Sequence, residues 1–124
     1  TMSTILLVED EDLLRNGVQE MLELHDFHVI GAGDGVEALE WLEEADVDLV
    51  ITDLVMPNMD GVDFVHKLRE KRPTLPVIVV SGSSKSVMDR YGINTLDIPG
   101  ANASLSKPFK STELVNLVKS LLAQ

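Results

Sequence analysis

The chain contains no cysteine, which excludes a disulfide framework and thiolate chemistry. It has no apolar run approaching the roughly 18 residues that a membrane span requires. No basic segment followed by an apolar one stands at the N-terminus, so no signal peptide is expected. Thr1 ahead of Met2 is expected to be a cloning remnant, and the default expectation is a soluble cytoplasmic protein. Cationic residues are scarce: 10 Lys and Arg face 21 Asp and Glu, giving a net charge of −11. Phosphate backbones and anionic lipid surfaces repel such a chain, which disfavours direct nucleic-acid binding and a membrane partner. No Walker-type loop, internal repeat, low-complexity tract or interdomain linker is found.

The 124 residues, 44% of them hydrophobic, suffice for one domain spanning 1–124 with a real core. Strand-like and helix-like segments alternate along it. Ile5 to Val8 reads as a strand, and Leu14, Val18, Met21 and Leu22 then repeat at helical spacing. Phe27 to Ala32 is a second strand. Asp34 and Glu37 fit a capping box that opens a helix to about Ala45. Asp48 to Thr52 is a third strand, followed by the loop Leu54 to Asp60 and a helix from about Val62 to Lys71. Pro73 and Pro76 precede a fourth strand, Val77 to Val80. Val87 and Met88 suggest a short helix ending near Gly92, and Ile93 to Ala101 reads as irregular. Ala103 to Ser106 is a weaker fifth strand, and Leu114, Leu117, Val118 and Leu121 mark a last helix from Ser111. The runs at Ile5, Leu49 and Val77 are nearly continuously apolar, as in strands covered on both faces. Five such strands alternating with helices make an open α/β sheet.

The side chains capable of chemistry fall at strand ends. Glu9 and Asp10 follow the first strand, Asp53 the third, Ser81 the fourth and Lys107 the fifth. Ligands bind outside the carboxyl ends of an open parallel sheet, where the strand order reverses. Carboxylates, a hydroxyl and an ammonium converging there would suit a divalent cation and a phosphoryl group, with Asp53 best placed to carry the latter. Singly, each has a plainer reading. Asp53 could close a strand, Ser81 could cap a helix, Lys107 could sit in a solvated loop, and Glu9-Asp10-Glu11-Asp12 could be a solvated turn ahead of a helix N-terminus. Asp60-Gly61 reads as a turn without chemistry. His25, His28 and His66 lack ligand-like spacing, and Trp41 reads as packed or half exposed on the second helix.

Four motifs carry a family resemblance: Val8-Glu9-Asp10-Glu11, the run Asp53-Leu54-Val55-Met56-Pro57-Asn58-Met59-Asp60-Gly61, Ser81-Gly82, and Lys107-Pro108-Phe109. In this order they resemble the receiver domain of bacterial two-component response regulators, of the chemotaxis-regulator type, over essentially the whole chain. The resemblance implies a three-layer, doubly wound, five-stranded parallel sheet in the flavodoxin-like order 2-1-3-4-5. It implies that Asp53 accepts a phosphoryl group from a sensor histidine kinase or histidine phosphotransfer protein, or from a small phosphodonor. Mg²⁺ is the implied cofactor, held by Glu9, Asp10, Asp53 and the backbone carbonyl of Val55. Asp10 is the direct ligand of the acidic pair, with Glu9 acting through water. Lys107 pairs with Asp53 and then with a phosphoryl oxygen, and Ser81 donates its hydroxyl to another. The Lys107–Pro108 peptide is implied to be cis. Two carboxylates about 4 Å apart repel by roughly 4 kcal/mol at a surface-like dielectric, which gives the cation and Lys107 their purpose.

By the same resemblance, phosphorylation draws Ser81 inward and an aromatic residue of the fifth strand rotates into the vacated space. The face formed by that strand and its flanking helices then changes partners. Here the aromatic position holds Ser104, and the stretch from Ser81 to Lys107 is longer than usual, by about one helical turn's worth of residues between Tyr91 and Gly100. Tyr91 or the segment Ile93 to Pro99 is the expected substitute; a Tyr91→Ala variant with unchanged partner binding would remove Tyr91 from contention. Val55 and Ser83 flank the phosphoryl group by resemblance, and an apolar Val55 predicts slow loss of phosphate. Other classes stay open. A phosphohydrolase using an aspartyl-phosphate would want a second Asp where Val55 stands. A flavodoxin-like nucleotide binder would want a Ser/Thr/Gly-rich loop in place of Glu9-Asp10-Glu11-Asp12. A receiver-like interaction module that is never phosphorylated would normally lose an acid or the lysine, and this chain keeps them all.

Overall fold

In the computed structural model, residues 2–82 and 98–124 are described. They form strands β1 (Thr4–Val8), β2 (His28–Ala32), β3 (Leu49–Asp53), β4 (Val77–Ser81) and β5 (Ala103–Ser106). Four helices lie among the described residues: α1 (Asp12–Leu24), α2 (Gly35–Glu44), α3 (Gly61–Lys71) and α4 (Ser111–Leu122). The expected short helix around Val87 and Met88, Ser83, Tyr91 and most of the Ile93–Pro99 segment lie outside the described residues.

All strands pair in parallel, in the order β2-β1-β3-β4-β5. Alternate side chains of each strand serve opposite layers. Leu6, Val8, Val50, Val77 and Val79 pack with Ala38 and Leu42 of α2 and Phe64 and Leu68 of α3. Ile5, Leu7, Leu49, Ile51, Ile78 and Val80 pack with Leu22 of α1 and Leu114 and Val118 of α4. That double cover explains the unbroken apolar runs, since neither face of the central strands meets water.

β3 and β4 each end one residue later than the hydrophobic pattern suggests. Asp53 and Ser81 are themselves the last ladder residues, because Asp53 lies opposite Val80 and Ser81 opposite Ser106. The ladder bonds continue beyond them: Leu54 N–H donates to the Val80 carbonyl (3.2 Å) and Lys107 N–H to the Ser81 carbonyl (2.9 Å). The apolar pattern stops where the side chains become polar, whereas the backbone pairs for one residue more.

Helix starts follow local polar chemistry. Asp34 caps α2 by accepting from Glu37 N–H (2.8 Å), but Glu37 Oε2 accepts from Gly33 N–H rather than closing the expected box on Asp34. Asp34 also accepts from Asn58 Nδ2 (2.7 Å), tying α2 to the β3–α3 loop. The Glu37 amide first, then Asn58, hold the Asp34 carboxyl below its ordinary pKa. Asp60 is more than a turn residue, for its Oδ1 caps α3 by accepting from Asp63 N–H (3.0 Å). Gly61 is required next: a Cβ there would lie 2.6 Å from the Asp53 carbonyl oxygen. The bond from Gly61 N–H to the Leu54 carbonyl (2.6 Å) sets that close approach and seats the loop against the end of β3. Before β5, Arg69 of α3 donates to the Gly100 carbonyl and to Asn102 Oδ1, and Asn102 Oδ1 also accepts from Val77 N–H. Gly100 and Asn102, just ahead of β5, are thus tied to α3.

Candidate functional site

Parallel strands bring all their carboxyl ends to one edge, so residues distant in sequence meet there. Lys107 is the centre of the arrangement. Its Nζ donates to Asp53 Oδ2 (3.0 Å) and to Glu9 Oε1 (3.1 Å). Asp53 Oδ1 accepts from Leu54 N–H (2.7 Å), and Glu9 Oε2 accepts from Glu11 N–H (3.1 Å). Asp10 is exposed at the mouth, and carboxylate oxygens of Glu9, Asp10 and Asp53 lie within 4.8 Å of one another. The Glu9 and Asp53 side chains are only 7% and 12% exposed, so their charges are poorly screened.

The electrostatics follow from that burial. Desolvation pushes the Glu9 carboxyl above its ordinary pKa; the Glu11 amide opposes this, the Asp53 charge reinforces it, and Lys107 offsets part of it. Burial also acts to lower the Lys107 pKa, but its bonds and ion pairs with Asp53 and Glu9 outweigh it and leave the ammonium above its ordinary value. Lys107 therefore stays charged. One ammonium among three carboxylates leaves local negative charge that a divalent cation would neutralise.

Ser81 is buried, and its Oγ has no hydrogen-bond partner among the described residues. An unsatisfied buried hydroxyl costs stability unless a ligand oxygen satisfies it. The donor set is all oxygen, as hard cations prefer, and Ser81 and Lys107 add donors suited to an anionic oxygen. These residues fit Mg²⁺ and a phosphoryl group. Val55 stands two residues beyond Asp53 in the loop and is exposed. Lys107–Pro108 is cis. Ser104 lies half-buried opposite Val79 on β5, while its neighbours Ala103 and Leu105 pack towards α4.

Residues 5–119 match the family described as the response regulator receiver domain. The chain belongs to that family. Similar proteins include the response regulator receiver protein CpdR of Brucella abortus (strain 2308), 33% identical over 121 residues, with 98% of each chain covered. The transcriptional regulatory protein CpxR of Escherichia coli (strain K12) is 38% identical over 98% of this chain and 50% of its own length. The sensor kinase CckA of Brucella abortus is 39% identical, but the match covers only 12% of it. The chain thus spans half or less of several curated relatives that it matches. Among solved structures, the chemotaxis response regulator CheY4 of Vibrio cholerae superposes with a TM-score of 0.79 at 28% identity, covering 98% of this chain and 99% of that one. The response regulator TrrA of Thermotoga maritima, in complex with Mg²⁺-BeF, does so at 0.83 and 29%, covering 97% and 99%. The receiver domain is a signalling domain of two-component systems, and its acidic cluster could bind a metal.

Of the residues singled out from sequence, Glu9, Asp10, Asp53 and Lys107 form one cluster, with Ser81 on the strand between those of Asp53 and Lys107. The histidines take no part: His25 Nδ1 contacts the Met21 carbonyl, and His66 faces Glu70. One residue of this receiver domain's site was not foreseen. Arg15 Nη1 donates to the Glu9 carbonyl (2.7 Å). The usable signal was a basic residue one turn into α1 facing Gly31 and Gly33, residues with no side chain to exclude its stem. No membrane-spanning helix occurs among the described residues.

Proposed function

We propose that this receiver domain, taken as a single domain over residues 1–124, is a phosphoacceptor switch that Asp53 operates from the cytoplasm. The observation that carries this reading is Lys107 Nζ bridging Asp53 and Glu9, with Asp10 in the same cluster. A lone pair of the Asp53 carboxylate attacks the phosphorus of a partner's phosphohistidine. The new O–P bond forms as the N–P bond breaks, and the leaving electron pair returns to the imidazole. Lys107 already touches the nucleophile and follows the charge onto a phosphoryl oxygen. Ser81, whose hydroxyl has no partner among the described residues, supplies a donor for another. Glu9, Asp10, Asp53 and the Val55 carbonyl would hold Mg²⁺, which when bound neutralises charge between the carboxylates and the incoming group.

The donor is a sensor histidine kinase or a histidine phosphotransfer protein. An open groove of about 740 Å³ borders Lys107, lined by Leu13, Leu14, Val18 and Met21 of α1 and by Pro108 and Phe109. A histidine-bearing helix seated there would place its ring beside Asp53. The output partner is a protein rather than nucleic acid, given the net charge of −11. No enzymatic turnover of outside substrates is expected, since Val55 offers no general acid.

Intact-mass analysis after incubation with acetyl phosphate, with and without Mg²⁺ and alongside Asp53→Ala, tests the reading. It requires gain of one phosphoryl group that depends on both Mg²⁺ and Asp53. A second reading, an interaction module that signals without phosphorylation, draws on Ser104 at the usual aromatic position of β5. It gains ground if neither acetyl phosphate nor a phosphohistidine donor modifies the folded protein.

A further inference from the structure

Arg15 brings a positive charge to the acidic loop without any part in the chemistry above. Its Nη1 donates to the Glu9 carbonyl (2.7 Å) and its Nη2 to Asp12 Oδ1 (2.7 Å). Its stem lies over β2, where a Cβ on Gly31 would sit 3.3 Å from Arg15 Cδ and one on Gly33 4.0 Å from Nη1. The side chain is 20% exposed although Asp12, its ion-pair partner, is 82% exposed, so the Glu9 carbonyl and the glycine floor define its place. The same turn is tied from the other side, for Glu9 N–H donates to the Ala32 carbonyl (3.0 Å) and Glu11 N–H to Glu9 Oε2 (3.1 Å). The Glu9 carbonyl belongs to the peptide that joins Glu9 to Asp10. Holding it sets the direction in which Asp10 leaves β1.

We propose that Arg15 is a positioning residue for the divalent-cation site, clamping the Glu9–Asp10 peptide so that both carboxylates face Asp53. This rests on the reading of Glu9, Asp10 and Asp53 as a Mg²⁺ site. Charge and geometry predict opposite signs here. By charge alone, removing a cation beside three carboxylates tightens Mg²⁺ binding. If Arg15 positions the loop, its removal weakens binding, as losing an outer partner of a metal site does.

The test is the Mg²⁺ dissociation constant by titration calorimetry, with thermal unfolding in EDTA measured beside it. Arg15→Met keeps the stem and loses the fork; roughly tenfold weaker binding is expected. Arg15→Lys restores the charge but only one directed donor, and is expected to fall between Arg15→Met and the unsubstituted protein. Gly31→Ala changes no charge and crowds the Arg15 stem; a smaller weakening in the same direction is expected. Unchanged or tighter binding by folded Arg15→Met overturns the proposal. If Arg15→Met does not fold, unaltered affinity of Gly31→Ala does so. Absence of Mg²⁺ binding by the unsubstituted protein would bring down the metal-site reading and this inference with it, an outcome distinct from failure of the clamp alone.

Discussion

Replacing Asp53 by Asn should stabilise the metal-free domain even though it removes the proposed phosphoacceptor. Asp53 Oδ2 lies 3.0 Å from Lys107 Nζ, an attraction of about 5.5 kcal/mol at an effective dielectric of 20. Against this, Glu9 within 4.8 Å repels Asp53 by about 3.5 kcal/mol at the same dielectric. Asp10, exposed and better screened, adds about 1.7 kcal/mol at twice that dielectric. Attraction and repulsion therefore cancel to within about 1 kcal/mol. What decides is the desolvation of a carboxylate whose side chain is only 12% exposed. Asn sheds that cost and keeps one acceptor, its Oδ1 for Leu54 N–H, while Lys107 retains Glu9 Oε1. In EDTA, Asp53→Asn should raise the unfolding free energy by about 1–2 kcal/mol, a gain of roughly 4–8 °C in Tm. Urea and thermal unfolding followed by circular dichroism measure it. Mg²⁺ at a hundred times its Kd should stabilise the unsubstituted protein by about 2.7 kcal/mol, and Asp53→Asn by less, narrowing the gap. If the Asn variant is less stable than the parent in EDTA, the Lys107 pair outweighs burial and the reasoning is wrong.

Three further outcomes can be checked. Because burial raises the Glu9 pKa above its model-compound value of 4.5, the folded state holds that proton more tightly than the unfolded one. The contribution of Glu9 to stability then falls as pH rises from 4.5 through its folded pKa, and Glu9→Gln, compared with the parent by urea titration in EDTA at stepped pH, should remove that contribution. Gly17 sits within α1, and a Cβ there would meet nothing within 4 Å; Gly17→Ala should stabilise by roughly 0.5–1 kcal/mol in urea unfolding. With apolar Val55 unable to hold an attacking water, phosphate on Asp53 should persist for minutes or longer, and Val55→Asn should shorten its lifetime in a time-resolved intact-mass assay.

Much of the site was legible because parallel topology and strand-end chemistry are both local signals. Glu9, Asp10, Asp53, Ser81 and Lys107 each close an apolar run, and the structure places those closings along one edge. The Asp34 cap was legible for the same reason, as an acid three residues ahead of the amide it caps. Its second bond to Asn58 was not, for the two lie 24 residues apart and neither belongs to a periodic pattern. Asp60 was read as a turn because an Asp before Gly suits both a turn and a cap. The structure shows which: Asp60 Oδ1 accepts from Asp63 N–H, and Gly61 seats against the Asp53 carbonyl.

Local pattern is enough for the alternation of strand and helix, the burial of both sheet faces and the identity of the residues at the strand ends. These follow from periodicity and residue chemistry within a few positions. The 2-1-3-4-5 order entered only through family resemblance, since periodicity says that a strand is buried and not beside which strand. Contacts in three dimensions were needed for Lys107 to bridge residues 54 and 98 positions away, for the Ser81 hydroxyl to lie buried without a partner among the described residues, and for Arg15 to rest on Gly31 and grip the Glu9 carbonyl. Each of those depends on side chains meeting across separate elements, a distance that no repeat in the chain encodes.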